Sequence, residues 1–338
     1  MYQISLITGD GIGPELSESV IKVLEVVNDK LDLKLKVEKL EAGDSALAKT
    51  GKALPESTLE AIKRSSACLK APVGESAADV IVVLRRVLNL YANIRPAKSY
   101  PNMPALKDNI DLVIVRENTE DLYTGMEFEV GNSAVDLRNI SEYASKRIAK
   151  YAFLTANQRN QKRKVTCVHK SNVMRMTDGL FVRACTEVAK EFPSIKFEQM
   201  YVDACAMNLI REPELFDVIV TTNLFGDILS DESAQVVGGL GMAPAANIGE
   251  NFALFEPVHG AAFDIAGKHA ANPSSFILSA KMMFEWLGMK NGDRKCFSVA
   301  KKLESAVYGV VKDGIKTKDI GGDKTTMEFT QHVISKLA

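Results

Sequence analysis

Thr221-Thr-Asn-Leu-Phe-Gly-Asp-Ile-Leu-Ser-Asp231 is the stretch on which the reading of this chain turns. The run before it, Asp217-Val-Ile-Val-Thr-Thr222, has the composition of a buried strand. A polar turn at Asn223 and Gly226 is expected next, with a helical pattern from Asp227 onward. Residues four apart on a helix share a face, so Asp227 and Asp231 point the same way. Two carboxylates that close repel unless a cation or a shared proton lies between them. Asp203, in Met200-Tyr-Val-Asp-Ala-Cys205, ends another short β-like run upstream. Three acids at strand ends or helix starts match a hard divalent site of the Mg²⁺ or Mn²⁺ kind. Taken alone, the pair is better described as an N-cap followed by a solvated first-turn acid. The rest of the chain decides between these readings.

At 338 residues, two lobes or one large α/β unit are the expected solutions. An apolar fraction of 46% with 25% charged residues is that of an ordinary soluble globular protein. A net charge of −1 offers no basic field for nucleic acid. The five cysteines, Cys68, Cys167, Cys185, Cys205 and Cys296, show no CxxC pairing. They read as reduced thiols in a cytosolic core, with no zinc or disulfide framework. The chain opens on a strand, Tyr2-Gln-Ile-Ser-Leu-Ile7, with no basic and apolar leader. No run reaches the roughly eighteen apolar residues of a membrane span, so a cytoplasmic protein without membrane contact is expected.

Gly9-Asp-Gly-Ile-Gly-Pro-Glu15 follows the first strand and leads into an amphipathic helix through Val27. Its G-x-G-x-G spacing lacks the third glycine of a dinucleotide fingerprint, and Glu38 and Glu41 come too late for a ribose ligand, so the motif reads as a tight strand-to-helix turn. Extended runs at 33–40 and 66–70 then alternate with helical ones at 55–65 and 77–90, a rhythm that predicts a mostly parallel sheet covered by helices. Arg85 falls in the last of these helices, Arg95 precedes Pro96 where a strand gives out, and Arg116 ends the apolar run 110–115. Single surface arginines are common, but three planar forks at such ends make a polycarboxylate clamp.

Residues 126–137 read as a hairpin around Gly131-Asn-Ser133, and 141–155 as a helix. This interruption of the parallel pattern suits a dimerisation arm. The strand 164–169 ends at Lys170, either a catalytic base or a solvated charge.

Beyond this point the chain resembles the metal-dependent β-decarboxylating dehydrogenases, a family that holds the 3-isopropylmalate, isocitrate, homoisocitrate and tartrate/D-malate enzymes. The resemblance is carried by the 9–15 motif, Tyr91-Ala-Asn-Ile-Arg-Pro96, Val115-Arg-Glu-Asn-Thr-Glu120, Asp121-Leu-Tyr123, His169-Lys-Ser-Asn172, Gly226-Asp-Ile-Leu-Ser-Asp231, and Glu256-Pro-Val-His-Gly260 through Asn272-Pro273. It implies that Arg85, Arg95 and Arg116 grip the malate carboxylates. Asp227 and Asp231 are implied to hold the metal with Asp203 lent by the partner subunit. Lys170, also given across a homodimer, is implied as the base that takes the hydroxyl proton, and Tyr123 as the acid that protonates the enol after CO₂ leaves. His259 and Gly260 are placed near the adenosine, Asn272 at the adenine edge, and Asp264 and Ile265 at the ribose. A carboxylate accepts hydrogen bonds from ribose hydroxyls and repels a 2′-phosphate, so NAD is expected rather than NADP. Phe263 stands where the family keeps a proline.

The family reads the substrate's variable group from the helix before Arg85. Isocitrate enzymes place a serine and an asparagine six and four residues before that arginine, where this chain has Asp79 and Ile81; homoisocitrate relatives place an arginine at the position of Val82. An apolar wall of Ile81 and Val82 suits an isopropyl group and leaves a third carboxylate unpaired. That favours 3-isopropylmalate, an intermediate of leucine biosynthesis, with homoisocitrate or isocitrate as the alternative and a silent regulatory subunit as a minor one. The other reading of Ile81 and Val82 is that they face the core. The implied fold is a two-lobed α/β protein with an open parallel or mixed sheet, not a Rossmann fold. Its first, nucleotide-binding lobe takes 1–97 and 238–338. The second lobe, 98–237, carries the dimer interface, the arm and the metal ligands.

Overall fold

The computed structural model describes residues 1–337 and divides them into two compact units. Unit one comprises Met1–Leu88, Tyr100–Ala105 and the chain from Gly238 onward; unit two comprises Asn89–Ser99 and Leu106–Val237. In chain order, unit one begins with β1 (Tyr2–Ile7), α1 (Gly13–Lys30), β2 (Leu35–Leu40), α2 (Asp44–Thr50), α3 (Glu56–Arg64), β3 (Ala67–Lys70) and α4 (Ala77–Val87). Unit two holds β4 (Ala92–Lys98), β5 (Asp111–Glu117), β6 (Glu127–Val130), β7 (Ser133–Asp136), α5 (Glu142–Arg159), β8 (Lys164–His169), α6 (Thr177–Ala189), β9 (Lys196–Tyr201), α7 (Val202–Arg211), β10 (Val218–Thr221) and α8 (Asn223–Val236). Unit one is completed by β11 (Pro244–Ile248), β12 (Ala253–Pro257), α9 (Ser274–Asn291), α10 (Arg294–Lys312) and α11 (Thr326–Leu337).

Unit one orders its strands β2-β1-β3-β12-β11, all neighbours parallel except the antiparallel pair β11 and β12. Unit two orders its strands β4-β5-β10-β8-β9, again parallel except for β4 against β5. The α/β architecture with mixed sheets is therefore as the sequence implies. β3 and β10 are buried at every position, which is why Ala67-Cys-Leu-Lys70 and Val218-Ile-Val-Thr221 read as unbroken buried runs instead of alternating ones. The five cysteines are buried and free. Among the described residues no helix is long and apolar enough to cross a membrane.

Helix α8 begins at Asn223, four residues before the expected start, so Asn223 and Gly226 lie inside the helix and not in a turn. Gly226 is there for a close approach: a Cβ on it would lie 2.4 Å from Cγ of Arg116. A glycine selected by a tertiary contact looks, in sequence, like a turn signal. Leu229 of α8 is buried in a cluster with Ile114, Val168, Leu209, Phe216 and Ile219. Asp227 and Asp231 lie two residues to either side of it, on the opposite face. Arg95 is also placed differently, since β4 runs on through Pro96 to Lys98 and holds it in mid-strand. Arg116 is next to last in β5. Asp203 is the second residue of α7 and not the end of a strand.

The short helix α2 gives no local start signal because its cap comes from far away in sequence. The buried Asp10 accepts hydrogen bonds from the N–H groups of Asp44 and Ser45 at 2.8 and 3.0 Å, from Ser45 Oγ at 2.9 Å and from the Gly74 N–H at 3.1 Å. Asp44 in turn takes the N–H groups of Glu75 and Ser76 and the Ser76 hydroxyl, which hold its carboxyl below the usual range. The two acids lock the loop that leads into α4. Asp10→Ala leaves these donors without their acceptor and is expected to cost at least about 3 kcal/mol in urea unfolding; a loss within about 0.5 kcal/mol would show that water replaces the carboxylate.

Candidate active site

Five of the anticipated residues meet in unit two. Arg116, only 1% exposed, donates from Nε to Asn223 Oδ1 at 2.9 Å and from Nη1 to Asp227 Oδ1. Its guanidinium lies 4.9 Å from the centre of the Tyr123 ring, and the Tyr123 hydroxyl donates to the other oxygen of Asp227. Arg95 donates from Nε to Asn93 Oδ1 at 3.1 Å and from Nη1 to Ser230 Oγ at 2.6 Å and Asp231 Oδ1 at 3.1 Å; Asp227 lies 3.2 Å from the same nitrogen. Partial burial pushes the Asp231 carboxyl above its ordinary value and Arg95 pulls it back, with Asp227 adding to the rise. Tyr123 sits on a 3₁₀ turn, Asp121–Thr124, directly over this cluster.

Lys170 and Asp203 form a second group in the same unit, with Nζ to Oδ1 at 2.7 Å. This hydrogen bond from Lys170 holds the Asp203 carboxyl low, although the side chain is 66% exposed. Among the described residues no three His, Cys, Asp or Glu side chains come together as a metal site. One chain thus pairs Asp227 with Asp231 and leaves Asp203 apart from them. The donors nevertheless fit a hard divalent ion in kind: carboxylate oxygens, two of them one helical turn apart, with Asp231 55% exposed.

In unit one, Arg85 is buried on α4 and donates from Nε to Asn247 Oδ1 at 3.0 Å. Glu256 lies 3.7 Å from Nη2 of Arg85, accepts from Asn247 Nδ2 at 2.8 Å and from Lys70 Nζ at 2.7 Å. Ile81 and Val82 are half-buried, while the core side of α4 is taken by Val80 and Leu84. His259 Nδ1 is 3.1 Å from the Gly260 carbonyl, Gly260 and Asp264 are exposed, and Ile265 is half-buried. Asn272 is buried: its Oδ1 accepts from the Ser274 N–H at 3.0 Å and its Nδ2 lies 3.4 Å from Met242 Sδ. Phe263 is exposed and reaches over Gly74, where a Cβ would meet its ring at 2.8 Å.

Comparison with known proteins places this geometry. The isocitrate/isopropylmalate dehydrogenase family profile matches residues 3–333. The chain belongs to that family. A protein of Archaeoglobus fulgidus named 3-isopropylmalate dehydrogenase is 52% identical over 337 residues, covering 100% of both chains. One of the same name from Sulfurisphaera tokodaii is 50% identical over 338 residues, covering 99% of each. The crystal structure of isocitrate dehydrogenase from Methylococcus capsulatus superposes with a TM-score of 0.93 at 40% identity, covering 100% of this chain and 99% of that one.

For this isocitrate/isopropylmalate dehydrogenase family member, the sequence reading did not find the residues that hold the arginines: Asn93, Asn223, Ser230, Asn247, Glu256 and Lys70. Asn93, Ser230 and Glu256 lie inside the motifs quoted above and Asn223 inside the opening stretch, so their signal was present but did not point to the arginines. Burial by itself opposes ionisation of Glu256, yet Lys70 and Arg85 outweigh it and bring its carboxyl down to about 2. A folded value below the ordinary 4.5 contributes stability that is present above about pH 4.5 and is lost as pH falls through about 2. Glu256→Gln should therefore be less stable than the native chain above pH 4.5, with the difference shrinking towards pH 2. A difference that does not vary with pH would mean that Glu256 is not ionised in the folded chain.

Proposed function

We propose that this chain oxidises and decarboxylates (2R,3S)-3-isopropylmalate to 4-methyl-2-oxopentanoate and CO₂, with NAD as hydride acceptor and Mg²⁺ or Mn²⁺ bound, in leucine biosynthesis. The observation that carries the substrate is on α4. Ile81 and Val82 stand half-exposed on the helix that holds Arg85, so they are available to an apolar group and are not spent on the core. Burying a third carboxylate against them without a partner is costly, whereas an isopropyl group gains from the contact. The names of the two archaeal relatives agree with this choice.

In this reading the planar forks of Arg85, Arg95 and Arg116 orient the two carboxylates of the malate. When bound, the cation supplies Lewis-acid stabilisation of charge on the substrate oxygens and NAD takes the hydride. Lys170 Nζ takes the hydroxyl proton as the C2 hydride leaves. After CO₂ departs from the neighbouring carbon, the Tyr123 hydroxyl delivers a proton to that carbon. Asp227 and Asp231 serve as two ligands of the cation, and Asp203 of the partner subunit serves as the third. Two observations support the shared site. Asp203 stands apart from the other acids within one chain, and unit two exposes Phe128, Val130, Tyr143, Val173, Met176, Met207 and Ile210. Phe128 and Val130 lie on the β6–β7 hairpin, an isolated two-stranded ribbon of a kind that needs a partner for stability. The exposed Asp264 supports NAD over NADP by repelling a 2′-phosphate.

Isocitrate is the second reading, favoured by the close match to the Methylococcus structure. NAD reduction with Mg²⁺ should give the highest kcat/KM on 3-isopropylmalate among that acid, isocitrate, homoisocitrate and D-malate, and EDTA should abolish it. Val82→Arg should move the preference towards a tricarboxylate by tenfold or more, the usual scale for one newly paired buried charge. A native preference for isocitrate would reject the apolar reading of α4.

Lys170→Ala and Asp227→Ala chains, each inactive alone, should regain activity when mixed and re-equilibrated, because one hybrid site keeps both native groups. Mixtures that exchange subunits and stay inactive would reject the shared site.

A further inference from the structure

Three turns carry the groups assigned above: the 3₁₀ turn with Tyr123, the turn after β8 with Lys170, and the first turn of α8, which leads to Asp227. One side chain with no role so far reaches all three. Arg138 follows β7 and grips Asp121 with two nitrogens, Nε to Oδ1 at 2.6 Å and Nη2 to Oδ2 at 3.3 Å. Nη2 also donates to Thr222 Oγ1 at 2.8 Å, while Nη1 donates to Asp178 Oδ1 and lies 3.0 Å from Met174 Sδ. Its guanidinium stands 5.1 Å from the centre of the Phe225 ring.

Each acid then holds backbone. Asp121 accepts from the Leu122 N–H at 3.0 Å, inside the Tyr123 turn, and from the Leu224 N–H at 3.1 Å, at the start of α8. Asp178 accepts from the N–H of Lys170 itself at 2.6 Å. Both acids are fully buried, and Asp121 has a φ of +70°, a left-handed conformation that a non-glycine residue keeps only where its surroundings enforce it. Buried ion clusters of this kind are poor sources of stability, because desolvation offsets the attraction, but they fix geometry through directed hydrogen bonds. The planar fork is essential, since only a guanidinium can serve three partners in fixed directions.

We propose that Arg138 is a positioning residue that holds three turns of one chain in register through Asp121, Asp178 and Thr222: those of the acid Tyr123 and the carboxylate helix α8, which serve one site of the proposed homodimer, and that of the base Lys170, which serves the other. This rests on the roles given to those groups under the proposed function. Arg138 touches none of the reacting atoms in this scheme, so its loss acts on their placement. A shift of about 1 Å in a catalytic group costs on the order of a hundredfold in rate.

The test compares the native full-length protein with Arg138→Lys and Arg138→Ala, and reads hydrogen exchange, thermal midpoint and kinetics. Arg138→Lys keeps the charge and so protects against misfolding. The expected result is faster amide exchange at 121–124, 170–174 and 222–227 together, with exchange elsewhere in unit two unchanged. On whichever malate the native enzyme turns over, kcat should fall about a hundredfold with KM within a few-fold, and added guanidinium should restore part of the kcat of Arg138→Ala. Unchanged exchange at any of the three turns overturns the proposal, as does a folded Arg138→Lys of native kcat or a loss of rate that only tracks the thermal midpoint. If the native chain turns over no malate, the functional reading fails instead, and hydrogen exchange still decides whether Arg138 ties the three turns.

Discussion

The guanidinium of Arg116 is the constraint on which unit two depends. It is almost wholly buried, and a buried charge persists only when it is paired and hydrogen-bonded. Its partners, Asn223 and Asp227, stand one helical turn apart on α8, and its aliphatic stem runs along the bare backbone of Gly226 between them. The rotation of α8 about its axis is thereby fixed from both sides, by Arg116 on one face and by Leu229 in the apolar cluster on the other. Asp231 and its contact with Arg95 follow from that rotation without further choice.

The electrostatic state that results is balanced. Two acids, Asp227 and Asp231, face two arginines, Arg95 and Arg116, in a partly dry setting. In the proposed reaction Asp227 and Asp231 would hold a divalent cation in place of the arginines, and Arg95 and Arg116 would hold the substrate carboxylates in place of the acids. Net charge in the site is unchanged by that exchange, which limits the desolvation cost of binding. Tyr123, whose hydroxyl donates to Asp227, would under that proposal turn its proton from the acid to the substrate.

What the sequence showed and what it hid follow one physical division. Signals carried by neighbours along the chain were legible: Asp227 and Asp231 on one helical face, Lys170 just past the end of β8, the β6–β7 hairpin, and helix α5, expected over 141–155 and found at Glu142–Arg159. Signals carried across the fold were not. Gly226 answers to Arg116, the cap of α2 answers to Asp10, and Asp121 holds a left-handed φ because Arg138 and Leu224 surround it. Each of these breaks a local rule for the sake of a distant contact, and such breaks gather where a fold serves a site.

The three candidate substrate arginines share one design that no single motif reveals. Each gives its Nε to an asparagine oxygen: Arg85 to Asn247, Arg95 to Asn93, Arg116 to Asn223, all between 2.9 and 3.1 Å. A carboxylate at that nitrogen would have oriented the fork equally well but cancelled its charge. A neutral amide fixes the plane and leaves the positive charge, shared over the three guanidinium nitrogens, uncompensated on that side, with the terminal nitrogens open to a bidentate anion. The acids Glu256, Asp227 and Asp231 sit near the terminal nitrogens instead, where in the proposed reaction a substrate carboxylate would replace or share them. Orientation is thus assigned to asparagine and charge compensation to the acids, so that binding of the proposed substrate would change the second without disturbing the first.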